Sequence, residues 1–175
     1  MKRILYLAVA VAFAVSLCSC GAVSKSERAA RKAEQAAEEA RIAKAIVDRN
    51  FNLEITQIMP VGYPSRSSQA EYYMYVRKDV VDTRLPFIGD SHYAAFGGTE
   101  ISIVFDKEKV QFIEDFSDSN KGEYRYTFKG CYQNGSWTVI LQLYSNGRAH
   151  IGCSSPNRGD MTYFADIIIP EENEK

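Results

Sequence analysis

Residues 123–154 read EYRYTFKGCYQNGSWTVILQLYSNGRAHIGCS, and the alternation within this stretch decides the fold. Along an extended chain, Tyr124, Tyr126, Phe128, Gly130 and Tyr132 fall on one face, while Glu123, Arg125, Thr127, Lys129 and Cys131 fall on the other. A period of two is the signature of a half-buried strand. The pattern repeats from Trp137 to Tyr144, with Trp137, Val139, Leu141 and Leu143 inward and Thr138, Ile140, Gln142 and Tyr144 outward. A third strand turns Ala149, Ile151 and Cys153 inward and Arg148, His150, Gly152 and Ser154 outward. Three consecutive antiparallel strands are therefore expected.

Two Asn-Gly pairs join them. Asn134-Gly135 suits a two-residue type I′ turn, which pairs Gln133 with Ser136, Tyr126 with Leu143 and Phe128 with Leu141. At the second turn, a two-residue loop would set Gln142 opposite Ile151. A three-residue loop, Ser145-Asn146-Gly147 with Gly147 left-handed, sets Leu143 against Ala149 and Leu141 against Ile151, so apolar meets apolar. In this register Cys131 points outward beside Thr138, and Cys153 points inward opposite Val139. One strand separates them, roughly 10 Å between Cα atoms, where a disulfide needs less than about 7 Å. Two free thiols are expected, in a compartment that would permit a bridge.

The chain begins with the marks of export. Lys2 and Arg3 precede an apolar run, Ile4 to Leu17, that is short for a bilayer span. Leu17-Cys18-Ser19-Cys20-Gly21 resembles a bacterial lipobox, in which a small residue precedes the lipidated cysteine; Ser19 makes Cys20 the better match. Residues 1–19 are read as a lipoprotein signal peptide, and Cys20 as the lipid-attachment residue that would begin the mature chain. Several acyl chains on one residue make a stable membrane anchor. No cluster of acidic residues follows Cys20, which points to the periplasmic face of the outer membrane rather than the cell surface. Removal of Lys2 and Arg3 from the 21 basic residues leaves 19 against 22 acidic ones, a net charge of about −3. Nothing in this balance suggests nucleic acid, whose binding calls for a basic patch.

Ser24 to Arg49 reads as a helix rich in alanine and charged residues, with Ser24 and Glu27 forming a capping box. Ala29, Ala33, Ala36, Ala40, Ala43 and Val47 form a thin heptad stripe. Residues 20–49 are read as a lipidated cysteine followed by a helical spacer, about 37 Å long for the helix. The alternative is a coiled coil or a helix docked on a partner, for which alanine offers a weak seam. Ile42, Ile46 and Val47 are expected to pack the last turns onto the domain.

Residues 50–170 are read as one antiparallel β domain, and 171–175 as an acidic tail. Phe51, Leu53, Ile55, Gln57 and Met59 alternate until Pro60 ends the run. Hairpins are expected at Tyr72–Arg77 with Val80–Leu85, turning at Lys78-Asp79, and at Glu100–Phe105 with Val110–Phe116, turning at Asp106–Lys109. The meander follows, and then a last strand from Met161 to Ile169. The fold class is mainly β: a single antiparallel sandwich or flattened barrel of about eight or nine strands, preceded by one long N-terminal helix. Eleven Tyr, nine Phe and one Trp supply much of its core.

Several short stretches carry a resemblance: Leu85-Pro86-Phe87-Ile88-Gly89 with Tyr93 and Gly97-Gly98, then Ile103-Val104-Phe105, then Asn146-Gly147-Arg148-Ala149, and finally Ser155-Pro156-Asn157-Arg158 leading into Met161-Thr162-Tyr163. Together with the Ala-rich helix after a lipobox, they resemble a Bacteroidota lipoprotein family known as domain of unknown function 4251. The likeness runs from Glu27 to Ile169. It implies an anchored protein with a single mainly-β domain, and it supplies no activity and no catalytic residue.

The residues themselves carry no catalytic signature, and the chain is read as a non-enzyme without cofactor. His92 and His150 are the only histidines. Asp90-Ser91-His92 lacks a second metal ligand at useful spacing. Asp118 to Gly122 begins like a calcium loop, but its glycine comes one position early and the distal glutamate is absent, so a turn is expected. The long Pro86–Thr99 connection is the best place for function. Phe87, Ile88, His92, Tyr93 and Phe96 on it, and Arg158 on the Pro156 to Asp160 loop, where it could bind an anion, are the candidate ligand or partner surface. The plainer reading is that the apolar side chains cover an open end of the sheet and that Arg158 makes a structural salt bridge. Two functions are carried forward. One is an envelope-anchored binding module for a small apolar or amphipathic ligand; the other is a structural or protein-interaction component of the envelope. An open barrel cavity would favour the first, and a single exposed patch containing Ile140 and Tyr144 the second.

Overall fold

The structure is a computed structural model that describes residues 25–62, 64–68, 72–88, 101–132, 135–156 and 158–170. Cys20, Ser24, His92, Tyr93, Phe96 and the acidic tail lie outside the described residues. The chain divides into two units after Ala37, and the second holds every described strand. One helix, α1, runs Lys25–Val47 across that division. Among the described residues no helix is long and apolar enough to cross a membrane.

In the second unit, ten strands form a single antiparallel sheet. They are β1 (Asn50–Pro60), β2 (Arg66–Ser67), β3 (Tyr73–Arg77), β4 (Val80–Phe87), β5 (Ile101–Lys109), β6 (Ile113–Asp115), β7 (Glu123–Tyr132), β8 (Gly135–Tyr144), β9 (Arg148–Ser155) and β10 (Arg158–Ile168). The order is β5-β4-β3-β1-β10-β9-β8-β7-β6, with β2 added on β1. Of the architectures suggested by the sequence, this is one curled sheet rather than two packed ones, and hydrogen bonds do not close it into a barrel. The curl is visible in the chain itself. β5 and β6 lie at opposite ends of the strand order, yet only Val110–Phe112 join them. Where β6 stops pairing, β7 meets β5: the Phe105 and Phe128 rings lie edge to face at 6.2 Å, and a Cβ on Gly130 would sit 2.7 Å from the Phe105 ring.

The concave face is the core. Trp137, Tyr126, Tyr163, Phe51, Phe105 and Phe128 are its largest fully buried side chains. Tyr124, Tyr126, Phe128, Trp137, Val139, Leu141, Leu143, Ala149, Ile151 and Cys153 are buried as the alternation predicts, and Ile140 is 40% exposed on the outer face. Cys131 is exposed and Cys153 buried, and both are free. Asp118 to Gly122 forms a 3-10 turn over Ser119–Lys121, with Gly122 left-handed at φ 77°.

Four expectations are corrected. The β7–β8 register expected from an Asn134-Gly135 turn does not hold, and Gln133 and Asn134 themselves lie outside the described residues: Tyr132 pairs with Gly135, Phe128 with Val139, Tyr126 with Leu141, and Cys131 with Ser136. This is a slip of two residues, which keeps every side chain on its face; the apolar pattern cannot distinguish registers two apart. The three-residue turn at Gly147 (φ 88°) stands, with Leu143 opposite Ala149 and Leu141 opposite Ile151. In β1 a bulge at Thr56 shifts the face, so Ile58 and Pro60 are buried while Met59 is exposed. Asp106–Lys109 is no turn. β5 runs on through Lys107 at φ 49° and pairs with β4 as far as Val80, leaving β6 to pair with β7. Finally, Ile42, Ala45 and Ile46 face the core, whereas Val47 is exposed. Ile42 and Ile46 lie one turn apart on one stripe, and Val47 has rotated off it.

The last turns of α1, which belong to the second unit, pack on one end of the curled sheet. The Ile46 carbonyl accepts a hydrogen bond from Tyr126 Oη at 2.8 Å. Phe112 and Phe116 lie edge-on to Tyr126 at 5.3 Å each, and the Arg49 guanidinium sits 5.7 Å above Phe112. The other end, where β4, β8, β9 and β10 terminate or begin, is built differently.

Candidate functional site

At that second end the same period-two rule that fills the core delivers polar atoms into it. β8 begins at Gly135, so Trp137 is its second inward residue. In β9 the inward series Ala149, Ile151, Cys153 continues to Ser155. The β8–β9 ladder pairs Thr138 with Ser154, so the next position along sets Trp137 against Ser155. Ser155 in turn pairs with Arg158, the first residue of β10, and a register shift between Arg158 and Met161 restores the inward phase of that strand. β4 contributes Phe87. Its Pro86 lies beyond the last β3 pair, Tyr73 with Arg84, so the missing N–H falls where β4 has no partner on that side.

Phe87 is buried and lies edge to face with Trp137 at 5.6 Å. Ile88 is half-buried against the same core. The Arg158 guanidinium stands 6.0 Å over the Trp137 ring. Thus three of the sequence-predicted residues, Phe87, Ile88 and Arg158, fall around the Trp137 end of the core. Gly89–Glu100, which carries the other three, lies outside the described residues.

Trp137 Nε1, Ser155 Oγ and Arg158 Nη1 are buried and have no hydrogen-bond partner among the described residues. All three unpartnered atoms belong to this one cluster. Other core hydroxyls are paired: Tyr126 with Ile46, Thr83 Oγ1 with the Tyr73 carbonyl at 2.7 Å and, at this same end, Tyr163 Oη with the Pro86 carbonyl at 2.7 Å. Among the described residues Arg158 has no carboxylate in ion-pair range.

The chemistry available here is recognition. An indole N–H and a guanidinium donate only, and a serine hydroxyl can donate as well, so the cluster asks for oxygen acceptors. The nearby acids offer no base at neutral pH. Burial pushes the Cys153 thiol up to about 12 and holds the Tyr163 phenol well above its ordinary value. Among the described residues no three His, Cys, Asp or Glu side chains are grouped to hold a metal ion.

Sequence reasoning missed Trp137 and Ser155. The signal was present: the alternation that places Ser154 outward places Ser155, a polar residue, at a core position. His150, considered only as an isolated histidine, sits on the outer face in an aromatic row, 5.5 Å from Tyr144 and 4.4 Å from Phe164.

No curated protein matches the chain. A crystal structure of a DUF4251 family protein from Bacteroides eggerthii DSM 20697 is similar in fold, with a TM-score of 0.53 over 77% of this chain and 91% of that one at 16% identity. The family model for the domain of unknown function DUF4251 matches residues 33–167, which include every residue of the Trp137 cluster. The chain therefore belongs to the DUF4251 family.

Proposed function

We propose that this protein is an envelope lipoprotein, held through Cys20 at the outer membrane and facing the periplasm, whose β domain is a non-catalytic binding module for a small amphipathic ligand. The single observation that carries the reading is the cluster of three unpartnered buried polar atoms around Trp137, Ser155 and Arg158. Each such atom costs about 1–3 kcal/mol if left unpaired. A ligand that pairs them removes that cost on binding. Phe87 and Ile88 beside the cluster supply apolar contact for its body. The core is packed with large side chains, so the ligand would sit at the end of the curled sheet and would have to be small. Nucleic acid is no part of this reading, given a mature chain of negative charge.

Mass spectrometry of the full-length protein, extracted from membranes in mild detergent under native conditions, tests the proposal. Acylation of Cys20 and an extra mass that is lost on denaturation are the expected results. A ligand-free native mass would overturn the binding module. The structural or protein-interaction role would then take its place. That second reading draws on the half-buried row of Tyr144, His150 and Phe164, beside a groove of about 350 Å³ on the outer face.

A further inference from the structure

Resting on the binding-module reading, we propose that the ligand's polar end is a carboxylate, received by Arg158, Trp137 Nε1 and Ser155 Oγ. Four observations carry this further than "amphipathic". First, two of the three unpartnered groups can only donate, so an ammonium, which also only donates, would satisfy neither, and an alcohol brings one neutral oxygen where a carboxylate brings two that share a charge. Second, one of them is a guanidinium, whose charge survives at any physiological pH and whose buried arm costs several kcal/mol without an anionic or strong acceptor partner. Among the described residues none is present. Third, Arg158 is the cluster's single cation. One positive charge balances a monoanion, whereas a phosphate dianion would leave charge uncompensated in an apolar setting. Fourth, a planar carboxylate has two oxygens with several acceptor sites. It can take two guanidinium N–H groups side by side and still accept from an indole N–H, a geometry the Arg fork favours.

The apolar part of the ligand follows from what surrounds the head group. Phe87 and the Trp137 ring present hydrocarbon and aromatic surface, and Ile88 is half-buried beside them. Val139, Leu141 and Cys153, next along the strands that carry Trp137 and Ser155, are themselves buried in the core, which leaves the ligand's body the Phe87 side of the cluster. A short or compact monocarboxylate is the chemical class that fits.

Trp137 is the chain's only tryptophan, so its fluorescence reports on this cluster alone. The full-length protein would be titrated with hexanoate, 1-hexanol and hexylammonium, which share one apolar body. Hexanoate is expected to shift Trp137 emission and to bind about ten- to a hundredfold more tightly than hexanol, the usual margin of a charge-assisted hydrogen bond. Hexylammonium is expected to leave the emission unchanged. In Arg158→Gln, hexanoate should fall to the level of hexanol, and Arg158→Lys should recover part of the margin without the fork. Should Arg158→Gln fail to fold, the hexanoate-to-hexanol ratio in the native sequence decides by itself. Equal binding of hexanoate and hexanol would overturn the carboxylate but leave the ligand reading standing. An unmoved emission with all three overturns the carboxylate, and with a ligand-free native mass the binding module falls too.

Discussion

The two ends of the curled sheet are built from similar materials and finished differently. At the helix end, a tyrosine, two phenylalanines and an arginine surround a backbone carbonyl, and the one buried hydroxyl donates to it: Tyr126 to Ile46. At the Trp137 end, a tryptophan, a phenylalanine and an arginine stand with one serine hydroxyl, and three polar atoms go unpaired among the described residues. A core closes an end by satisfying its polar groups. The helix end is closed in this way, and the Trp137 end, where the described partners are missing, is where the proposed ligand would bind.

High pH offers the widest probe of this contrast. The Cys153 thiol, buried behind Trp137, is raised from 9.0 to about 12, and the Tyr163 phenol beside it is raised as well. An acid whose folded pKa is raised stabilises the fold fully below its unfolded pKa. That contribution is lost as pH climbs toward the folded value, here from about 9 to about 12. Stability should fall in that window by at most about 1.4 kcal/mol per pH unit for each proton involved. In Cys153→Ala the slope of stability against pH, from denaturant midpoints, should be shallower by about one proton. An unchanged slope would place the titration away from this buried thiol.

At neutral pH the sharper test is Tyr126→Phe. It removes one of two hydrogen bonds to the Ile46 carbonyl, which keeps the 3.0 Å bond from the Arg49 N–H, so a loss of about 0.5–1.5 kcal/mol is expected in urea unfolding. A neutral result would mean that the helix end is no better satisfied than the other.

The smallest effect is the most telling. Ser155→Ala deletes a buried hydroxyl that has no partner among the described residues. Ligand-free protein should change by less than about 0.5 kcal/mol, or gain stability, since desolvation is relieved and no bond is broken. A loss above about 1 kcal/mol in thermal unfolding would show that Ser155 is already paired and would collapse the difference between the ends.

Much of this architecture was legible in the residues. Alternation alone assigned the inward faces of β7, β8 and β9, and Gly147 set the β8–β9 register because only a left-handed three-residue loop aligned apolar with apolar. The same logic could not choose between β7–β8 registers two residues apart, because both keep Phe128 and Tyr126 inside. A bulge is also silent. Thr56 reads as an ordinary strand residue, yet it shifts the phase so that Ile58 replaces Met59 in the core. Lys107 hid in the same way: a charged stretch that looked like a turn carries a positive φ within a continuous strand.

The candidate site divides along the same line. Phe87, Ile88 and Arg158 could be singled out as apolar or cationic residues near loops, because local composition records what a loop offers. That these three belong together around Trp137, with Ser155 completing the set, is a property of the curl, which brings the ends of β4, β8, β9 and β10 to one place. Sequence by itself determined the class of chain, the helix, the strand faces and the free thiols, for each depends on the near periodicity of a few residues. Strand order, the meeting of β5 with β7 and the gathering of unpaired donors at one end were decided only in three dimensions. They are set by which distant surfaces can bury each other, and no local pattern encodes that choice.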